Sequence, residues 1–161
     1  MTSSVPERFR AVDAGSDAGF ALGVESRSNF PESVGLDVQR LPEGWGWFLA
    51  SAPLEVGPFS NASCSVVLQV PAGAPAGYYT VDLVASTPAW KSLSSVTVEV
   101  RAQRSFTAAL DADRAVLLPG ESRAFTVTVH NNGNCGDNYL LSCDGPLAVY
   151  FPRNLVGMAS R

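Results

Sequence analysis

Ser65–Ala85 reads SVVLQVPAGAPAGYYTVDLVA, and this stretch decides the fold. Val66, Leu68 and Val70 fall on one face of a period-two pattern, and Tyr79, Val81, Leu83 and Ala85 do so again. Between them lies Pro71-Ala-Gly-Ala-Pro-Ala-Gly77. That insert cannot continue a strand, because Pro71 and Pro75 lack the N–H a ladder needs and the glycines favour turning. Two half-buried strands joined by such a bend are antiparallel neighbours or partners across a sandwich.

Outward from this stretch the alternation continues. Phe20, Leu22 and Val24 share a face, then Val34, Leu36 and Val38, each group bounded by Gly, Pro or Asn breaks. Leu41-Pro-Glu-Gly-Trp45 turns the chain into a short aromatic strand, and Leu54-Glu-Val56 is a brief edge piece. Trp90–Val100 closes the unit with Val96, Val98 and Val100 inward. No stretch sustains a 3.6-residue period. Seven or so one-faced strands bury their apolar sides most simply as two facing sheets, an immunoglobulin-like sandwich over residues 1–102.

Arg101-Ala-Gln-Arg104 reads as a short polar linker into a second unit, 103–161. There Phe125-Thr-Val-Thr-Val129 corresponds to Phe20-Ala-Leu-Gly-Val24, and Tyr139-Leu-Leu-Ser-Cys143 to Val34-Gly-Leu-Asp-Val38. Trp47-Phe48 matches Tyr150-Phe151, and Leu41–Trp45 loosely matches Asp144-Gly-Pro-Leu147. The copy then lacks everything equivalent to the deciding stretch. The predicted fold class is therefore all-β: tandem immunoglobulin-like sandwiches, the second incomplete, either truncated or completed in trans. Half a sandwich leaves its inner face uncovered, at about 25 cal/mol per Å² of apolar surface.

Composition narrows the function. The chain has 161 residues, a net charge of −4 and one lysine, Lys91, so it lacks the basic footprint of a nucleic-acid binder. No apolar run reaches the length of a membrane span. Met1-Thr-Ser-Ser-Val-Pro-Glu7 lacks the basic and apolar regions of a signal peptide, so a cytosolic chain or a removed leader is expected.

The residues also carry a family resemblance. Leu41-Pro-Glu-Gly-Trp45, Leu54-Glu-Val-Gly-Pro58 and Val70–Val84 resemble the bacterial and archaeal immunoglobulin-like module appended to some α-galactosidases beside NPCBM carbohydrate-binding modules, akin to CARDB adhesion domains. Leu117-Leu-Pro-Gly-Glu-Ser122, followed by Phe125–Gly133, is similar to the first half of that module. The first unit lacks the Pro-Gly-Glu-Ser turn before its Phe20 strand. The resemblance implies a non-enzymatic spacer or adhesion module, extracellular or at the cell surface, with neighbouring domains as partners. It brings no catalytic residues and no cofactor.

Candidate sites are few. Trp45, Trp47 and Trp90 are the candidate sugar-stacking platform, with core packing as the plainer role; Trp90, placed in a loop after Pro88, is the best candidate for an exposed ring. A platform would make the chain a carbohydrate-binding accessory module of a glycosidase. A third reading is a filament subunit that self-associates through the open second unit by strand donation. Cys135 and Cys143 are disulfide candidates only if a loop folds back, and Cys64 sits in register with the core. With His130 the only histidine, no zinc site is expected. Asp111-Ala-Asp113 and Asn131–Asp137 are oxygen-rich, but turns use the same residues. Asn61-Ala-Ser63 is a glycosylation sequon, relevant only to an exported chain.

Overall fold

The structure is a computed structural model that describes residues 1–50, 54–146 and 148–159. The described residues form strands and turns in two units, Met1–Arg101 and Ala102–Arg161. Leu147, aligned above with the first unit's turn, lies outside the described residues.

The first unit contains β1 (Thr2–Ser4), β2 (Phe9–Val12), β3 (Asp17–Glu25), β4 (Glu32–Gln39), β5 (Gly46–Leu49), β6 (Leu54–Val56), β7 (Asn61–Gln69), β8 (Gly77–Thr87) and β9 (Trp90–Val100). They make two sheets, ordered β1-β3-β7-β5 and β2-β9-β8-β4-β6. The deciding stretch spans both: β7 lies in one sheet and β8 in the other, so the two are partners across a sandwich. Alternation is the cause. Phe20, Leu22 and Val24 of β3 and Val66 and Leu68 of β7 point inward with 2% exposure or less, and Val81, Leu83, Val96 and Val98 meet them from the other sheet. Phe20 stands opposite Val66, and Leu22 opposite Cys64.

The Pro/Gly bend between β7 and β8 is pinned from three sides. Ala74 N–H donates to Pro71 O (3.0 Å) and Gly15 N–H to the same oxygen (3.2 Å), while Tyr79 Oη donates to Pro75 O (2.8 Å). Gly15 has φ +83°, a conformation that suits a residue without Cβ. It allows the tight turn closed by Ser16 N–H on Asp13 O. The chain's first residues serve both sheets. β1 pairs antiparallel with β3, the chain changes sheet through Val5-Pro6, and β2 pairs parallel with β9.

The second unit holds β10 (Phe106–Leu110), β11 (Val127–Asn131), β12 (Asp137–Leu140) and β13 (Leu155–Met158). β10 pairs antiparallel with β11, and β12 with β13. Gln103 belongs to this unit rather than to a free linker. Its N–H donates to Asn134 Oδ1 (2.7 Å), and its oxygen accepts from Asn134 N–H (3.0 Å). The oxygen also lies so close to Gly133 that a Cβ there would collide with it.

The two units follow one plan. Adding 105 to each number turns the β1–β3 pairs Thr2↔Glu25, Ser3↔Val24 and Ser4↔Gly23 into Thr107↔His130, Ala108↔Val129 and Ala109↔Thr128, all of them pairs of β10 and β11. The β4–β6 pairs Glu32↔Val56, Ser33↔Glu55 and Val34↔Leu54 become Asp137↔Met158, Asn138↔Gly157 and Tyr139↔Val156, with 105 added on the first strand and 102 on the second. The fold is all-β, a closed immunoglobulin-like sandwich followed by the opening strands of another.

Candidate functional site

The tryptophans do not form an exposed row. Trp45 belongs to the core at 9% exposure and meets Tyr79 at 5.0 Å between ring centroids, tilted 48°. Gly44, at φ +78°, makes the turn that drops Trp45 inward, and Trp45 N–H donates to Pro42 O (3.2 Å). Trp47 and Trp90 are half-buried and pack against the same core. Trp90 also lies outside any loop: it begins β9, opposite Thr87, because only Pro88-Ala89 turn the chain. Sheet closure leaves these indoles little free face. The most exposed aromatic rings of the first unit are instead Phe59, Tyr78 and Phe30; Phe30 and Phe59 lie in loops joined by a hydrogen bond from Phe59 N–H to Ser28 O (3.0 Å). Phe59 has φ +46°, which is unusual for an aromatic residue.

The cysteines are free thiols. Cys64 is buried opposite Leu22, and burial pushes its pKa up. Cys135 faces Gln103 O at 3.9 Å and Cys143 faces Asp144 O at 4.0 Å, so these two do not bridge each other. Asn61 and Ser63 of the sequon are both exposed, at the start of β7. In the Asx-rich loop, Asn131 spends its side chain on backbone. Its amide donates to Cys135 O (2.8 Å) and Ala159 O (3.3 Å), and its Oδ1 accepts from Gly133 N–H (2.9 Å).

One polar cluster escaped the sequence reading. Asp82 is 4% exposed in the middle of β8; Ser95 Oγ donates to its Oδ1 (2.6 Å), and Arg40 Nη1 lies 3.3 Å from its Oδ2. Arg40 reaches it from the end of β4 with φ +57°. A carboxylate within YYTVDLVA was the available signal. The cluster ties β8 and β9 to the residue after β4.

Among the described residues, the second unit presents something different: strand edges without partners. In β3, Asp17–Ala21 pair with β7 alone; their counterparts, residues 122–126, are not in a strand. In β4, Leu36–Gln39 pair with β8 alone; their counterparts, residues 141–144, are not in a strand either. Strand survives only where the unit supplies its own neighbour. The side chains register the same lack: Phe20 is 1% exposed, whereas its counterpart Phe125 is 43% exposed. Tyr139 stacks on Phe106 (5.0 Å, tilted 49°), and its covered hydroxyl has no hydrogen-bond partner among the described residues. Desolvation, then the charges of Asp137 and Cys135, push the Tyr139 pKa up against the opposing pull of Arg104.

No family model matches the chain, and no curated protein matches it by sequence. Solved structures do match. A family 123 glycoside hydrolase from Clostridium perfringens aligns with 62% of the chain at TM-score 0.50 and 12% identity, and this chain spans 27% of its length. The class 5 fimbriae chaperone CfaA aligns with 98% of the chain, covering 79% of its own, at TM-score 0.43 and 14% identity. The α-2-macroglobulin of E. coli aligns with 88% of the chain and 8% of its own, at TM-score 0.42 and 11% identity. At these identities the likeness concerns the fold alone. Among the described residues no helix is long and apolar enough to cross a membrane.

Proposed function

We propose that the chain is a non-enzymatic, extracytoplasmic spacer or adhesion module, a load-bearing run of sandwich units in a surface or secreted protein. The observation that carries this reading is the parallel pairing of β2 with β9, from Phe9↔Thr97 to Val12↔Val100. These are strands near the two ends of the first unit. Pulling those ends apart slides β2 along β9, so the bonds Thr97 N–H to Arg8 O (2.8 Å) and Arg101 N–H to Val12 O (2.9 Å) must break together. A hairpin would unzip one bond at a time. The repeated pairing plan fits a chain of such units. The finer resemblance to the α-galactosidase-associated module belongs to the same proposal.

Single-molecule extension tests it. The first unit is expected to give one discrete rupture that releases chain at roughly 3.5 Å per residue. Arg10→Pro, which deletes a donor on the β9 side of β2, is expected to lower the rupture force markedly. Featureless extension of the native chain contradicts the reading.

A second reading, an accessory sandwich of a glycosidase, draws on the likeness to the family 123 glycoside hydrolase. Its stacking residues would be Phe30 and Phe59 rather than the tryptophans. Binding to a glycan array that disappears in Phe59→Ala supports it; no binding by the native chain opposes it.

A further inference from the structure

We infer that Asn61 carries an N-linked oligosaccharide whose first sugar ring lies over the Phe59 side chain and beside the hydroxyl-lined groove along β1. The inference rests on the extracytoplasmic placement in the spacer reading, where the sugar donor and its transferase are met, and it does not involve glycan binding in trans.

Asn61-Ala-Ser63 is the chain's only Asn-X-Ser/Thr sequence. It lies within the closed first unit, at the start of β7, and both of its polar residues are exposed. Ala62 stands opposite Val24 on the inward side, so Asn61 and Ser63 share the outer face of the sheet, opposite Glu25 and Gly23. β5 pairs with β7 only from Val66 to Gln69. Among the described residues, Asn61–Ser63 therefore pair with β3 alone, and a transferase can approach from the other edge. An open groove of 620 Å³ adjoins them, lined in part by Thr2, Ser4, Gly23, Glu25 and Ser63. Its hydroxyls and carboxylate suit sugar hydroxyls, and Gly23 brings no side chain to fill it.

Phe59 is the second, independent observation. Its ring is 73% exposed and its φ is +46°, two unfavourable features in one aromatic residue. The turn is held in that shape by Phe59 N–H on Ser28 O (3.0 Å), Ser26 N–H on Ser60 O (2.8 Å) and Ser60 Oγ on Gly57 O (2.8 Å). Cα atoms two residues apart are at most about 7 Å distant, so a sugar on Asn61 is within reach of the Phe59 ring. Packing the C–H face of a pyranose on that ring takes its apolar surface out of water.

The attachment consumes a polyprenyl-pyrophosphate-linked oligosaccharide. Asn61 Nδ2 attacks the anomeric carbon; the new C–N bond forms as the C–O bond to pyrophosphate breaks. Polyprenyl pyrophosphate leaves with that electron pair, Nδ2 gives one proton to a base of the transferase, and nothing is oxidised or reduced. The Ser63 hydroxyl is the part of the motif that the transferase recognises.

The test uses the full chain recovered from its own host. In the tryptic peptide Leu41–Lys91, fragmentation is expected to place the mass of an oligosaccharide on Asn61. Ser63→Ala is expected to abolish that mass and Ser63→Thr to keep it. Asn61→Gln is expected to lower the first unit's melting temperature by about 4 °C, and by less than half as much in a Phe59→Ala background. Recovery from a surface or secreted fraction with Asn61 unmodified overturns the inference and leaves the spacer reading standing. Recovery from the cytosol alone overturns both. An equal loss with and without the Phe59 ring overturns the placement of the sugar on it.

Discussion

Ser26 and Asn131, 105 positions apart, hold the same post in their units. Ser26 follows Val24 by two positions and Asn131 follows Val129 by two, each is buried, and each side chain accepts the N–H two residues on: Ser28 at 3.2 Å and Gly133 at 2.9 Å. A buried polar side chain at this post gives a partner to an N–H of the turn that follows the strand.

Replacing Asn131 should hurt more than replacing Ser26. Asn131→Ala removes three hydrogen bonds to backbone and is expected to destabilise the second unit by about 1–3 kcal/mol. Ser26→Ala removes one such bond and is expected to cost the first unit about 1 kcal/mol. Urea unfolding, followed by amide signals of each unit, measures both.

Equivalent phenylalanines should differ in consequence. Phe20→Ala empties a fully covered site in the first sandwich and is expected to cost about 3–5 kcal/mol. Phe125→Ala truncates a ring already 43% exposed, so a loss below about 1.5 kcal/mol is expected. Equal losses in denaturant titrations would show that the second unit is as closed as the first.

The three thiols should separate by burial. Cys143 is exposed and Cys135 half-buried, so both are expected to react with a thiol reagent in the folded chain. Cys64 is buried with its pKa raised above the ordinary 9.0, so it should react only on unfolding. Counting modified cysteines before and after denaturant checks this.

Alkaline pH should act on the second unit through Tyr139. Its folded pKa lies above the ordinary 10.0, so the folded chain holds the phenol proton more tightly than the unfolded chain does. The resulting stability is complete below pH 10.0 and is lost as pH rises through the higher folded value. Phenolate absorbance should show one late-titrating tyrosine, absent in Tyr139→Phe.

Much of the fold was legible in the residues. Phe20, Leu22, Val24, Val66, Leu68, Val96 and Val98 announce their burial because a one-sided strand imposes a period of two. The repeat was legible in spacing, since Phe125 and Tyr139 keep the interval of Phe20 and Val34. Other features leave no local mark. The parallel pairing of β2 with β9 joins residues nearly the whole unit apart, and nothing near Arg10 points to Val98. Pro88 suggests a loop around Trp90, yet two residues suffice to turn β8 into β9. Polar composition around Gln103 reads as linker and does not reveal its mutual hydrogen bonds with Asn134. Of the candidate site, the open second unit was readable from the missing repeat; the exposed Phe30 and Phe59 were not, because exposure depends on how the loops close.

Site-resolved hydrogen exchange on the intact chain tests the central claim, a closed sandwich followed by an open one built on the same pairs. The amides of β3, β7, β8 and β9 are predicted to exchange only through global unfolding of the first unit, those of β11 and β12 faster, and residues 122–126 and 141–144 with almost no protection. Protection of 122–126 equal to that of Asp17–Ala21 in the isolated chain would contradict it.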